Sequence, residues 1–316
     1  MCLFIIINVA KNSTKKHFDK NQSVFLIAKS MLVEYNIPNG DSMDTNFFTE
    51  NDDMYAIIGR HFPKHKDIKL IKTGWTNFVF EVETDDGNFF FRFPRNEFFS
   101  DALVKESQIN KFIEGKIKFQ TNHLVLNYFG QKPYTFHRAI DGVSLQDCYG
   151  ELTDKQKRVL AEDICELLCE FCQVEVEPDF EKVSSFLDRL SDVSRHNYDL
   201  SYHEIFKAFE EKELVFSHGD FNQGNLLLKD GKLVAVIDFA FAGVSHPYTD
   251  LARIINRSPV DFKPIIMKAY QKRFGEISHP AIIDCMQKSY DYVDNQYIKY
   301  IKEYHPNITL QEDMQK

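Results

Sequence analysis

LVFSHGDFNQGNLLLKDGKLVAVIDFAFAGVSHPYTDLARI, from Leu214 to Ile254, carries the densest structural instruction in this chain. Lys229-Asp230-Gly231-Lys232 is a two-residue hairpin signal between apolar runs, because Asp-Gly accepts the positive φ that a tight turn demands. With Asp230 and Gly231 as the turn, Lys229 faces Lys232, and an unbroken ladder puts Asn225 opposite Val236. Side chains alternate with period two, so Asn225, Val236 and Asp238 project to one face. Asn225 and Asp238 then become diagonal neighbours at the open end of the hairpin. A one-residue slip would send one of them to the opposite face.

Diagonal neighbours with Cβ atoms roughly 7 Å apart can share one Mg²⁺, whose oxygen ligands lie at about 2.0–2.1 Å. Five residues before Asn225 stands Asp220, on a loop containing Gly219 and Gly224 that can fold back beside the ion. Its carboxylate is then free to hold an acceptor hydroxyl. Phosphoryl transfer needs these parts: metal ligands that neutralise a triphosphate, and a carboxylate that orients a hydroxyl and takes its proton.

His218-x-Asp220-x-x-x-x-Asn225, followed by Asp238 in an apolar context, has the spacing of kinase catalytic and metal-binding motifs. Gly219 stands where protein kinases carry Arg. HGDFNQGN together with IDFAFAGVSHPYTDLA resembles the aminoglycoside phosphotransferase and choline kinase superfamily more than it resembles protein kinases. That resemblance implies an α+β, protein-kinase-like two-lobe fold, with a β-rich N-terminal lobe and a helical C-terminal lobe. By the same resemblance Asp220 is the catalytic base or orienter, Asn225 and Asp238 are metal ligands, and His218 and Asp250 support the loop. Asp250 reads equally as an N-cap of the helical run Leu251 to Asn256.

Upstream, the family pattern is looser. TGWTNFVFEVE looks like the loop over the nucleotide phosphates, where Gly74 allows close backbone approach and Thr76 or Asn77 donates hydrogen bonds. NFFFRFPRN resembles the strand that presents a phosphate-gripping Lys, but Arg92 occupies the place. Arg grips phosphate bidentately with a different bulk; the alternatives are an edge-strand Arg92 snorkelling to solvent and Arg95 in the phosphate role. Glu106, on the following helix, would pair with Arg92. YTFHRAIDGVSL resembles the lobe connector, whose backbone from Phe136 to Arg138 would bond the purine edge, with Gly142 allowing the turn.

Secondary-structure signals agree with two lobes. Ile68 to Ile71, Phe78 to Val82 and Asn88 to Phe93 read as strands, with Asp86-Gly87 as a tight turn. Asp101 to Glu114 reads as a helix capped by Ser100 or Asp101. Strands are expected at His123 to Phe129 and Tyr134 to Ile140. Helices are expected at Thr153 to Cys172, Val183 to Leu190, Tyr202 to Glu210 and Pro280 to Tyr304. The expected division is a partly disordered N-terminal extension over 1–50, a nucleotide-binding N-lobe over 51–138, and a C-lobe over 139–316 with the catalytic loop and acceptor site. A short amphipathic segment, Ser23 to Tyr35, lies within the extension, and Met43 has the look of an internal start.

Composition narrows the partners. Acids outnumber bases 47 to 38, a formal charge of -9, which argues against nucleic acid and favours a cationic small molecule. Six cysteines in 316 residues are too sparse for a disulfide framework and suit a reducing cytoplasm. No run reaches the ~18 apolar residues of a membrane span, and MCLFIIINVA lacks a basic lead-in. Cys165, Cys169 and Cys172 fall at helical spacing and read as core rather than a metal site. Tyr290, Tyr297, Tyr300 and Tyr304 on the last helix read as packing or, more sharply, as a cage for an ammonium helped by Asp284, Asp291 and Asp294.

The expected activity is therefore Mg²⁺-dependent transfer of the γ-phosphoryl of ATP or GTP to a hydroxyl of a small, cationic acceptor such as an aminoglycoside. A choline, ethanolamine or sugar kinase is the rival, disfavoured by HGD in place of HND and IDFAF in place of IDxEY. A nucleotide-binding pseudokinase is the rival of another class.

Overall fold

The computed structural model describes residues 45–71, 76–176, 214–277 and 280–304. The expected segments Ser23 to Tyr35, Val183 to Leu190 and Tyr202 to Glu210 lie outside these residues, as does Gly74.

The first lobe begins earlier than its sequence suggests. Phe48, assigned to the extension, is 1% exposed, and its N–H bonds the Pro94 carbonyl at 2.8 Å. A helix that sequence reading missed follows, α1 (Met54–His61), with Asp53 Oδ1 accepting the Ala56 N–H at its N-cap. Strands β1 (Asp67–Ile71), β2 (Asn77–Thr84), β3 (Gly87–Pro94), β4 (Val125–Phe129) and β5 (Lys132–Arg138) form one antiparallel sheet in the order β1-β2-β3-β5-β4. Thr84 pairs with Gly87, so the β2–β3 turn is Asp85-Asp86, one residue before the expected Asp86-Gly87. Gly87, at φ +115°, sits just past that turn.

Register explains the lobe. Phe78 faces Phe93, Phe80 faces Phe91 and Val82 faces Phe89, while Phe91 faces Phe136 on β5. These rings share one face with Tyr134 and are covered by Phe48 and by Met54, Ile57 and Ile58 of α1. Each Phe fully removed from water contributes roughly 1.5–3 kcal/mol, which accounts for a chain with 29 Phe and 1 Trp. Arg92 faces Val79 and Thr135, so period-two alternation turns it away from the aromatic layer.

On Arg92's side runs α2 (Glu97–Ile113). Its N-cap is Asn96, whose Oδ1 takes the Phe99 N–H at 2.9 Å, not Ser100 or Asp101. The helix starts earlier than the apolar spacing suggests because Asn96, two residues past the strand-closing Pro94, already caps it.

After β6 (Val143–Ser144) and the short α3 (Leu145–Cys148), the second lobe is organised on α4 (Asp154–Gln173), which opens with a Thr153–Gln156 capping box. Leu160, Ile164, Cys165, Leu168 and Phe171 of α4 pack in a second core with Phe216, Phe221 and Phe239. Of the three cysteines expected in the core only Cys165 is buried, with burial pushing its thiol up to about 12, while Cys169 is half-buried and Cys172 exposed. Around this core lie β7 (Val215–Ser217), the hairpin β8 (Leu226–Lys229) and β9 (Lys232–Val236), β10 (Gly243–Ser245), α5 (Tyr248–Arg257), α6 (Lys263–Phe274) and α7 (Pro280–Tyr304). No described helix is long and apolar enough to cross a membrane.

Candidate active site

The loop between β7 and β8 is held by its own polar groups. His218, fully buried, donates its N–H to Asp250 Oδ2 at 2.8 Å, and Gly219 donates to Oδ1 at 3.1 Å. His218 Nε2 lies 2.9 Å from the Ile237 carbonyl, and its Nδ1 accepts the Asp220 N–H at 3.3 Å. A ring that donates at Nε2 and accepts at Nδ1 is neutral and fixed in one tautomer. Asp250 lies inside α5, whose N-cap is Pro247, so the capping alternative for Asp250 is excluded. Burial raises the Asp250 pKa despite the two N–H bonds.

Gly219 is dictated by geometry. Its φ is +80°, and a Cβ built there would stand 2.1 Å from the Phe241 carbonyl oxygen. No side chain fits, which explains why the Arg of protein kinases is absent.

Asp220 stands at the head of this loop. Arg253 on α5 reaches its Oδ1 through both Nε, at 2.9 Å, and Nη2, at 2.8 Å. Burial alone would disfavour the charged carboxylate, but the Arg253 guanidinium outweighs it and holds Asp220 below the usual carboxylate range. Asn225 follows in a 3₁₀ turn, Gln223–Asn225, with its Nδ2 donating to the Asp220 carbonyl at 2.9 Å. That bond uses the amide nitrogen and leaves the amide oxygen available to a ligand.

The hairpin departs from the expected ladder. Lys229 does face Lys232, and Asp230 and Gly231 have positive φ as an Asp-Gly turn requires. A bulge between Leu227 and Leu228 then makes Val234 the extra residue, so Leu226, not Asn225, faces Val236. Bulges shift every later residue by one. Asn225 and Asp238 are thus joined by a different device: the Ile237 N–H bonds the Asn225 carbonyl at 3.0 Å, and Asp238 leaves the strand at φ +66°. A non-glycine residue in that region stores of order 1 kcal/mol, a common mark of a functional constraint.

Asp238 lies 3.9 Å from Arg92 Nη2 across the lobes. Arg92 in turn meets Glu106 of α2 at 2.7 Å and 2.8 Å, with the Glu106 side chain fully buried. Arg92 is therefore paired inward, not snorkelling. Burial pushes Glu106 up to about 7 against the pull of Arg92. Arg95 packs its guanidinium 3.9 Å over the Phe78 ring, on the aromatic side of the sheet, away from Arg92.

The remaining expected residues sit apart from this cluster. Thr76 Oγ1 receives the Asn77 amide at 2.8 Å, and the Thr76 carbonyl takes the Arg95 N–H. Phe136 turns its ring into the aromatic layer, and Arg138 sends its guanidinium to the Asp86 carbonyl. β4 reaches only to Val125, opposite Phe136, so no described strand covers His137 and Arg138 on that side. At that edge the Arg138 carbonyl lies 3.0 Å from His137 Nδ1, and a planar hydrogen-bonding ligand would compete with that contact.

An amide oxygen and a carboxylate are hard donors that fit Mg²⁺, which keeps waters and phosphate oxygens at its other positions. Among the described residues no group of three His, Cys, Asp or Glu forms a metal cluster; Cys165, Cys169 and Cys172 make none.

Of the expected ammonium cage, the side chains of Tyr297, Tyr300 and Tyr304 lie outside the described residues. Tyr290 lies 4.8 Å under the Arg253 guanidinium, so its cationic partner belongs to the protein. Asp294 pairs with Arg253 and Arg257, Asp291 takes the Asn256 amide, and Asp284 pairs with Lys288. Arg253, absent from the sequence reading, had a signal: it follows Asp250 by three residues on one helix face.

Comparison with known proteins adds family and fold. Residues 67–284 match the model of the phosphotransferase enzyme family. An aminoglycoside 3'-phosphotransferase of Escherichia coli is 38% identical over 61 residues, 19% of this chain and 22% of that protein. One of Enterococcus faecalis is 26% identical over 165 residues, 51% of this chain and 54% of that protein. The chain thus spans between a fifth and about half of these relatives. An aminoglycoside phosphotransferase solved with GDP and kanamycin superposes with a TM-score of 0.61 at 18% identity, covering 83% of this chain and 95% of that one.

Proposed function

Because this chain belongs to the phosphotransferase enzyme family, we propose that it transfers the γ-phosphoryl of ATP or GTP to a hydroxyl of a small, cationic acceptor of the aminoglycoside kind. The observation that carries the reading is the linked set of Asp220, Asn225, Asp238 and Arg92, with Glu106 behind Arg92. Bound Mg²⁺ would supply charge neutralisation on the β- and γ-phosphates. Asn225 and Asp238 would hold that ion through their oxygens.

Arg92 grips phosphate oxygens, kept in place by Glu106. By the sequence resemblance Gly74 and Thr76 belong to the stretch that would cover the phosphates, and the backbone near Phe136 to Arg138, uncovered by β4 at His137 and Arg138, would take the base. His218 and Asp250 keep the loop rigid, so Asp220 meets the acceptor hydroxyl pre-aligned and receives its proton as the acceptor O–P bond forms and the bond from the γ-phosphorus to the β–γ bridging oxygen breaks, releasing the nucleoside diphosphate. The lobes divide at 139, with nucleotide on the first and acceptor on the second. A cytoplasmic setting is supported by free Cys148, Cys165, Cys169 and Cys172, and the acidic net charge argues against nucleic-acid partners.

The test is a coupled nucleotide-consumption assay with Mg²⁺, ATP or GTP, and kanamycin or choline, with ³¹P NMR to locate the ester. Phosphate on kanamycin is the expected outcome. Phosphate on choline alone moves the acceptor to the metabolite-kinase class. Thermal stabilisation by nucleotide with no turnover on any acceptor makes the chain a binding module.

A further inference from the structure

Arg253 is 5% exposed in its side chain and spends its donors on two carboxylates. Nε and Nη2 converge on Asp220 Oδ1, while Nη1 meets Asp294 Oδ2 at 2.7 Å and Nη2 lies 3.4 Å from Asp294 Oδ1. Asp294 on α7 is 7% exposed and also receives Arg257. The Tyr290 ring closes one face of the guanidinium. Four charges, two of each sign, thus lie at the α5–α7 seam directly behind Asp220.

A buried ion pair is weak evidence for stability, since desolvation offsets most of the attraction. The geometry points to a different use. Nε and Nη2 of Arg253 meet the same oxygen, which ties Oδ1 down and leaves Oδ2, with the Asn222 side chain nearby, as the oxygen for a hydroxyl. A carboxylate bonded through its own backbone to Asn225 is also drawn towards any divalent cation held there. Anchoring Oδ1 from behind keeps it off the metal.

We infer that Arg253 is a positioning residue for phosphoryl transfer: it locks Asp220 in the acceptor-facing orientation, with Asp294 of the last helix holding the lock. The inference rests on the proposed role of Asp220. It also ties the outermost described helix, α7, to the reacting carboxylate through a single guanidinium.

The experiment measures kcat and the nucleotide KM for Arg253→Ala, Arg253→Lys, Asp294→Asn and Asp220→Ala with Mg-ATP and kanamycin, or water as acceptor where kanamycin is inert. Arg253→Ala is expected to lose about 100-fold in kcat, the scale of a misoriented group, with KM changed by less than about threefold. Millimolar guanidinium chloride should restore part of that loss, which a merely structural pair would not show. Arg253→Lys, which keeps charge but not the fork, should fall between, and Asp294→Asn should lose less than Arg253→Ala. If Arg253→Ala does not fold, the last two variants read the same ratio. Unchanged or increased kcat in folded Arg253 variants, or a loss without guanidinium rescue, overturns the lock. Full activity in Asp220→Ala instead overturns the proposed function itself.

Discussion

The first-lobe sheet and the second-lobe hairpin are both antiparallel β, yet they obey the same rule differently. In the sheet, β2 and β3 stay in register over eight pairs, and alternation alone assigns Phe78, Phe80, Phe89, Phe91 and Phe93 to one face and Arg92, with Phe90, to the other. In the hairpin, a bulge and a left-handed Asp238 break the alternation where the reactive groups stand. Regular ladders build the scaffold and choose a face; the irregular positions aim individual side chains, and each depends on one residue identity.

Three substitutions sharpen that contrast. The largest stability change belongs to the regular region: Phe91→Ala empties a fully buried site and should cost about 3–5 kcal/mol, seen in a denaturant titration. Whatever remains folded should keep its nucleotide specificity. Gly219→Ala touches a single methyl group, but it collides with the Phe241 carbonyl at positive φ and should cost about 2–3 kcal/mol while disabling the loop that carries Asp220. Smallest and opposite in sign, Asp238→Gly relieves a left-handed aspartate. Stability should rise by up to about 1 kcal/mol while turnover collapses, a pairing expected only if the strain serves the site.

Legibility in the sequence follows the same line. The α+β lobes, the Asp230-Gly231 turn, the α4 periodicity and the spacing of positions 218, 220, 225 and 238 could all be read, because each rests on local chemistry or fixed spacing. Arg92 with Glu106 was also readable, through the resemblance to the family's strand cation and helix Glu, and the two side chains do meet. The bulge was not, because nothing in NLLLKDGKLVAV marks Val234 as the extra residue. The partners of Asp294 were hidden for a related reason: helical spacing shows which tyrosines and carboxylates share a face, but not that Arg253 and Arg257 from another helix already occupy Asp294. Phe48 was read with the extension because five residues lie between it and the next helix and no periodicity reaches back that far.

The role of Asp220 is tested most directly by measuring turnover and Mg-nucleotide affinity side by side in the Asp220→Ala variant. A carboxylate acting on the acceptor hydroxyl requires kcat to fall by about 100- to 10,000-fold while nucleotide affinity stays within about threefold. Turnover at the unmodified rate, or a loss confined to nucleotide binding, would contradict it.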